Sequence, residues 1–379
     1  DALAGRAHVD IDAFPRDFLH LGIVVRAQEK RQEFLLENTL QQQVGCAAGY
    51  TSFVRDRRMI SALSELRPIC RGMEITHAEA GFDRRMNYRH AFHAGNFADV
   101  VKHVALSLCF DRLNTKDTPY RFVDTHAGIG LYDFESNEAG RSPEWKGGVG
   151  RIWEAEPGAP DAVRAALAPW LSVIQRLNST GLQHYPGSPV LAAEMMRKDD
   201  ALRLCELHPE SAELLRQAMG RDKRVKIEER DGFEALAAYL PPPERRGLVL
   251  IDPPFEAGTS ERKLDFDWML KAAVKAVKRW PLGTYVFWRP IKDVQAVEAF
   301  DSELASMLIE EGGIPPDKLL VVDLWVREIG PGSLSGAGVV IVNPPFGVAD
   351  HLRAAMPWLC ELMAKGDGAG WRVETPSEA

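Results

Sequence analysis

The sequence contains no run of about 18 apolar residues and no basic start followed by an apolar stretch, so neither a membrane span nor a secretory signal is expected. Cysteine is scarce: Cys46, Cys70, Cys109, Cys205 and Cys360 are scattered and form no CxxC pair. This argues against a disulfide framework and a thiolate zinc site, and reduced thiols in a cytoplasmic protein are the expectation. A basic excess is also missing. Lys and Arg number 46 against 54 Asp and Glu, for a formal net charge of −8. A nucleic-acid partner would therefore have to meet a local basic patch. The first 85 residues contain no tryptophan, many arginines and no apolar period sustained over several turns. They are read as an extension, disordered or not native to the fold, ahead of a domain spanning residues 86–372 and a tail of residues 373–379.

What is present is ordinary for a globular protein: 379 residues, 45% hydrophobic and 26% charged, enough to bury a large core. From Met86 onward, strand and helix signals alternate, the pattern of a mostly parallel α/β sheet covered by helices on both faces. Asn96 is placed to cap a helix running to about Leu113, with Val100, Val101, Val104, Ala105 and Leu108 on its apolar side. Seven strands are expected: Arg121–Thr125, Leu202–Leu207, Val225–Glu229, Leu248–Ile251, Thr284–Trp288, Leu319–Val326 and Val339–Val342. The first and second are too far apart for a simple crossover, which implies a small helical insertion at about residues 135–182.

Several strand ends carry polar residues, and in open α/β sheets the carboxyl ends of the strands are where ligands bind. Asp252-Pro253-Pro254-Phe255 follows the apolar run Leu248-Val249-Leu250-Ile251. An exocyclic amine on a nucleobase is a poor nucleophile because its lone pair is delocalised into the ring. The Asp252 carboxylate and the Pro253 carbonyl could each accept one N–H and steer that lone pair toward an electrophile, while Phe255 stacks on the base. A plain turn after a strand is the alternative. Asn343-Pro344-Pro345-Phe346 has the same form but follows the expected last strand, so chain order favours Asp252 and makes the second string a structural turn. The first strand runs into Asp124-Thr125-His126-Ala127-Gly128-Ile129-Gly130, a glycine turn without the third small residue of a diphosphate-binding fingerprint. Glu206 ends the second strand, where a carboxylate can accept ribose hydroxyls, and Asp231-Gly232 end the third, where Asp can receive an adenine amine. Each acid alone could be a solvated strand-end residue. Ser188, in Tyr185-Pro186-Gly187-Ser188-Pro189, is read as capping the next helix and also pointing at a cofactor, with capping alone as the alternative. Met86 to Asn96 is rich in aromatic and basic groups: Tyr88 and Arg89 can stack on a base and pair a phosphate, or simply tether the segment. Its histidines, with His103 and His126, show no ligand spacing on one helix face, so no metal is expected.

These segments together, YRHAFHAGNFADVVKH, DTHAGIG, YPGSP, ELHP, RDGF, RRGLVLIDPPF and VIVNPPF, resemble the RlmJ-type 23S ribosomal RNA adenine-N6 methyltransferases of bacteria over about residues 86–372. The resemblance implies a Rossmann-like class I methyltransferase fold with S-adenosylmethionine as cofactor, acting on free 23S rRNA; a monomer is expected, though the sequence itself carries no signal of oligomeric state. It implies Asp252 as the catalytic acceptor, His103, His126, Ser188, Glu206, Asp231, Gly232 and Asp252 about the cofactor, and Tyr88, Pro253 and Phe255 toward the substrate. Phe255 stands where Tyr is common in that family, and residues 1–85 have no counterpart. A DNA substrate, a binding protein that keeps the fold without turnover, and a nicotinamide oxidoreductase are the competing readings. The last leaves the Asp-Pro-Pro-Phe string unexplained.

Overall fold

The computed structural model describes residues 26–27, 73–74, 90–255, 259–330 and 334–376, with side chains undescribed at 26–27, 73–74, Asn137 and over 259–265. The chain divides into two units at residue 85. In the first, the described residues are Arg26–Ala27 paired antiparallel with Met73–Glu74. The second unit carries the elements that follow.

All seven expected strands form, with ends shifted by a few residues, and they join one sheet. These are β1 (Arg121–Asp124), β4 (Ala201–Cys205), β5 (Val225–Glu228), β6 (Gly247–Ile251), β7 (Thr284–Ile291), β8 (Leu319–Trp325) and β9 (Gly336–Val342). The strands β2 (Leu131–Asp133) and β3 (His184–Pro186) form a separate antiparallel pair. An eighth strand, β10 (Gly370–Glu374), extends the large sheet, whose order is β10-β8-β9-β7-β6-β1-β4-β5. This corrects the expected count of seven, and its last two residues, 373–374, fall in the segment read as a tail. Its single deeply buried position, Val373, sits on an edge strand and gives no apolar run to detect. From β5 to β7 every pairing is parallel, whereas β9 runs antiparallel to both β7 and β8.

Strand alternation distributes the core. Phe122, Leu248, Leu250 and Val286 face one hydrophobic cluster, and their neighbours Val123, Val249, Ile251 and Phe287 face another. Helices α1 (Phe97–Asn114), α4 (Asp161–Leu177), α5 (Ser188–Met195), α6 (Pro209–Met219) and α10 (Val348–Met363) cover the first face; α7 (Gly232–Tyr239), α8 (Thr259–Arg279) and α9 (Val294–Glu310) cover the second. The small helices α2 (Asn137–Arg141) and α3 (Val149–Ala155) join α4 in an insertion between β2 and β3.

Asn96 caps α1 as expected, its side chain accepting from the Ala98 and Asp99 N–H groups. The helix is less one-sided than its apolar stripe implied: every residue from Phe97 to Phe110 is buried, because α1 lies against β9, α4, α5 and α10 at once. Its polar residues Asp99, Lys102 and His103 must therefore find partners inside the protein. The insertion is fastened to the start of this helix. Val149 N–H donates to the Gly95 carbonyl at 2.9 Å, and a Cβ on Gly148 would stand 2.2 Å from that same oxygen, which only glycine permits. Among the described residues no helix is long and apolar enough to cross a membrane.

Candidate active site

The parallel register places Asp124 of β1 level with Leu204 of β4 and Leu250 of β6. Two residues further along each neighbour stand Glu206 and Asp252. The acids inferred from three separate stretches of sequence thus come to one end of one sheet.

Asp252 is held from below. Lys102, buried on α1, donates from Nζ to Asp252 Oδ2 at 2.6 Å and lies 2.9 Å from Asp99 Oδ1. Asp99 Oδ2 also accepts from the Gly95 N–H at 3.0 Å and meets His90 Nε2 at 2.9 Å. Burial alone would lower the Lys102 pKa, but the Asp252 and Asp99 carboxylates outweigh it and hold the ammonium above its usual range. Burial works against the Asp99 charge too, yet His90 and Lys102 keep its carboxyl well below the usual range. The Lys102 ammonium also lies 5.9 Å from the Trp288 ring centroid. Two carboxylates share one lysine, and Asp252 Oδ1 keeps no hydrogen-bond partner among the described residues. Motif reading placed Lys102 in the polar YRHAFHAGNFADVVKH segment but did not pair it with Asp252. The signal for that pairing was Asp99 and Lys102, an i, i+3 pair of opposite charge within an otherwise mostly apolar stretch of the helix.

Asp124 is fully buried; its Oδ2 accepts from Ser188 Oγ at 2.6 Å and its Oδ1 from the His126 N–H at 3.1 Å. Burial pushes its carboxyl up to about 7, the Asp252 charge adding to this while the Ser188 and His126 hydrogen bonds oppose it. Ser188 therefore does not cap α5, as one reading had it. The cap position is Gly187, and Ser188 opens the helix with its hydroxyl turned to Asp124.

The glycine turn after β1 uses the left-handed backbone region at Gly128 (φ 62°) and Gly130 (φ 84°). Glu206 braces it, accepting the Gly128 N–H on Oε2 at 2.8 Å and the His208 N–H on Oε1 at 2.8 Å. Burial raises the Glu206 pKa. His126, at the same turn, has Nδ1 2.8 Å from Thr125 Oγ1, whose hydroxyl donates to the Leu250 carbonyl. With the Thr125 proton committed there, His126 Nδ1 is the donor in this pair. Its ring meets Phe233 edge-on at 5.0 Å.

Asp231 caps α7, Oδ1 accepting from the Phe233 and Glu234 N–H groups. Gly232 is required for packing in its own right: a Cβ there would lie 1.9 Å from the Thr125 carbonyl oxygen. His103 lies deeper than the resemblance implied. It is 1% exposed, its Nδ1 is 2.8 Å from Tyr185 Oη, and its Nε2 is buried without a hydrogen-bond partner among the described residues. Burial, helped by Lys102, lowers its pKa to about 3, so the imidazole is neutral.

Phe255 is a correction. An open ring for stacking was expected, but the residue adopts φ 44° and its side chain is 5% exposed, packed on Phe266 at 5.0 Å and Trp288 at 5.6 Å. It anchors the strand-end loop instead of presenting a face. Pro253 is buried beside it. Tyr88 and Arg89 lie outside the described residues. Among the described residues no group of three or more His, Cys, Asp or Glu converges as a metal site.

Residues 117–375 match the family described as ribosomal RNA large subunit methyltransferase D, RlmJ. The chain belongs to the RlmJ family. It is similar to ribosomal RNA large subunit methyltransferase J of Escherichia coli, 37% identical over 75% of this chain and 96% of that protein. The Haemophilus influenzae protein of the same name is also 37% identical, over 76% of this chain and 98% of its own length. A solved structure, protein LPL1258 from Legionella pneumophila, is 30% identical, superposes with a TM-score of 0.66 and covers 76% of this chain and 99% of its own. Within the RlmJ family match fall β1, β4, β5 and β6 with their acids; Asp99, Lys102 and His103 precede it.

Proposed function

We propose that this chain transfers a methyl group from S-adenosylmethionine to the exocyclic N6 of an adenine in free 23S rRNA. The observation that carries this reading is the buried Lys102 fixed between Asp99 and Asp252 at the carboxyl end of β6. Lys102 occupies Oδ2 and sets the plane of the Asp252 carboxylate, which leaves Oδ1 to accept one amine N–H. The Pro253 carbonyl accepts the other. Two acceptors on one amine turn its lone pair out of conjugation and take up the positive charge that develops on nitrogen.

The strand ends fit a nucleoside cofactor. Each Glu206 oxygen takes one backbone N–H and keeps capacity for a ribose hydroxyl, a carboxylate having about four lone-pair sites. The left-handed turn at Gly128 and Gly130 lets a ligand approach backbone. Glu206 would hold the ribose, Asp231 and Gly232 the adenine, and His126, Ser188 and His103 the remaining wall, with Asp252 nearest the methyl. When bound, S-adenosylmethionine supplies a methyl already made electrophilic by its sulfonium, so the protein has to align and to accept a proton. Tyr88 is assigned to the substrate entrance, and no part of this chemistry is placed on residues 1–85.

The test is transfer of radiolabelled methyl to protein-free 23S rRNA, to assembled large subunits and to duplex DNA in parallel. Label recovered as N6-methyladenosine from the free RNA is the expected result. Label in duplex DNA alone would replace the substrate, and label in none of the three would overturn the reading.

A further inference from the structure

The insertion and the antiparallel arm of the sheet meet in a seam of cations. Arg151, on α3, donates from Nη1 to the carbonyls of Leu362 at 2.9 Å and Ala364 at 3.0 Å, closing the carboxyl end of α10. The next residue, Lys365, gives its backbone N–H to the Val326 carbonyl at 2.7 Å and lays its ammonium 5.4 Å from the Phe97 ring centroid. A Cβ on Gly147 would lie 3.5 Å from Lys365 Cε, which puts the turn bearing Lys146 alongside. Arg327 follows Val326, and its Nε is buried without a hydrogen-bond partner among the described residues. Lys146, Arg151 and Lys365 are exposed.

Glu144 offsets part of this positive charge. Burial most of all lowers the Lys365 pKa below its usual range, and the charges of Arg327 and Arg151 add to it against a larger opposing effect of the Glu144 carboxylate. The Oε2 of Glu144 accepts from Asn96 at 2.9 Å and its Oε1 meets His93 at 3.1 Å. Exposed like charges gathered in one place repel one another, a free-energy cost that an anion would recover. Two acids stand nearby in the chain, Glu328 and Asp367, whose backbones are joined by a hydrogen bond of 3.0 Å. The seam's place in the fold is specific. β8 runs with β7, since both oppose β9, and β7 is parallel to β6. The seam that follows β8 therefore opens at the same end of the sheet as Asp252, beside the first residue of the helix that bears Lys102.

We propose that Lys146, Arg151, Arg327 and Lys365 contact the phosphates of the RNA strand flanking the target adenine. The proposal rests on the reading of the chain as an RNA methyltransferase. It explains how a protein of net charge −8 holds a polyanion: the positive charge is gathered beside the site while the total stays negative.

Binding of in vitro transcribed, protein-free 23S rRNA is measured by filter retention across a potassium chloride series, for wild type, Lys146→Glu/Lys365→Glu and Lys198→Glu. Lys198 lies just before β4, at the opposite end of the sheet. The double variant should bind at least tenfold more weakly at about 0.1 M salt, with a log–log salt slope reduced by about one to two. Its affinity for S-adenosylmethionine and its kcat at saturating RNA should stay within twofold of wild type, so that the defect falls on KM. Lys198→Glu should keep the wild-type slope. An unchanged slope in the double variant, or an equal loss in Lys198→Glu, overturns the seam while leaving methyl transfer by wild type intact. Wild type that transfers no methyl to this RNA overturns the underlying reading instead.

Discussion

Two strand ends in this protein carry nearly the same four residues and behave in opposite ways. Asp252-Pro253-Pro254-Phe255 ends a strand that is parallel to both neighbours; Asn343-Pro344-Pro345-Phe346 ends β9, which is antiparallel to both of its own. Strand direction alone sends the second string to the far end of the sheet, away from the glycine turn. The details follow. At the first end the acid meets a buried lysine and the aromatic ring is 5% exposed; at the second the ring of Phe346 is 85% exposed beneath Arg112. Asn343 takes the left-handed backbone (φ 52°) and staples the loop before β7, donating from Nδ2 to the Pro281 carbonyl at 2.9 Å and the Gly283 carbonyl at 2.7 Å. A short motif gains chemical meaning from the direction of the strand beneath it.

The sharpest way to break this comparison is Asp252→Ala. It should lower kcat for methyl transfer by about 10³-fold while S-adenosylmethionine binding, read by calorimetry, changes only severalfold. Near-normal turnover would remove Asp252 from the chemistry. Lys102→Met comes next, because it leaves Asp99 and Asp252 facing each other without their shared cation. A stability loss of about 3–5 kcal/mol in urea titration and a large fall in kcat are expected, and a variant as active as wild type would show the lysine to be scaffolding only.

Asn343→Ala tests the other side. It removes two hydrogen bonds and puts Ala at a positive φ, which should cost about 1–3 kcal/mol and leave kcat within about threefold. A loss of turnover comparable to Asp252→Ala would mean that the two ends had been assigned the wrong way round.

A gentler probe is Asp124→Asn. The Asp124 carboxyl is raised in the folded state to about 7, so its contribution to stability is fully present below the unfolded value and is lost as pH rises through about 7. Wild type should lose stability relative to the Asn variant over that interval, as read by urea midpoints at successive pH values, and a constant difference would contradict the burial that raises it. Phe346→Ser, at the exposed ring, should shift stability by no more than about 0.5 kcal/mol and leave turnover unchanged.

Much of this was legible in the residues. Continuous Val, Ile and Leu runs marked the central strands because both faces of the sheet are covered, and the acids after them could be found by counting to the strand ends. Strand β10 was not legible, since an edge strand needs little apolar sequence. Lys102 was visible as a residue but not as a partner of Asp252, because nothing local links a helix to a strand end that follows much later. Phe255 was misread for a related reason: an aromatic after Pro-Pro suits stacking on a base as well as packing into the wall, and only Phe266 and Trp288 decide between them. Gly232 carried two meanings, and the contact with Thr125 supplies the structural one.

The bond from Lys102 to Asp252 spans 150 positions in the chain. A ribosome making this protein delivers the lysine early and its carboxylate much later, after β1, the insertion, β4 and β5 have all been synthesised. Until β6 docks, α1 carries a charged pair with no complete shell, and burying it is unfavourable. Docking of β6 completes the shell of that pair, and β9 and α10, made later still, close the remaining faces of the helix, so chains that stop before Asp252 should be unstable at the first helix as well as incomplete at the strand end.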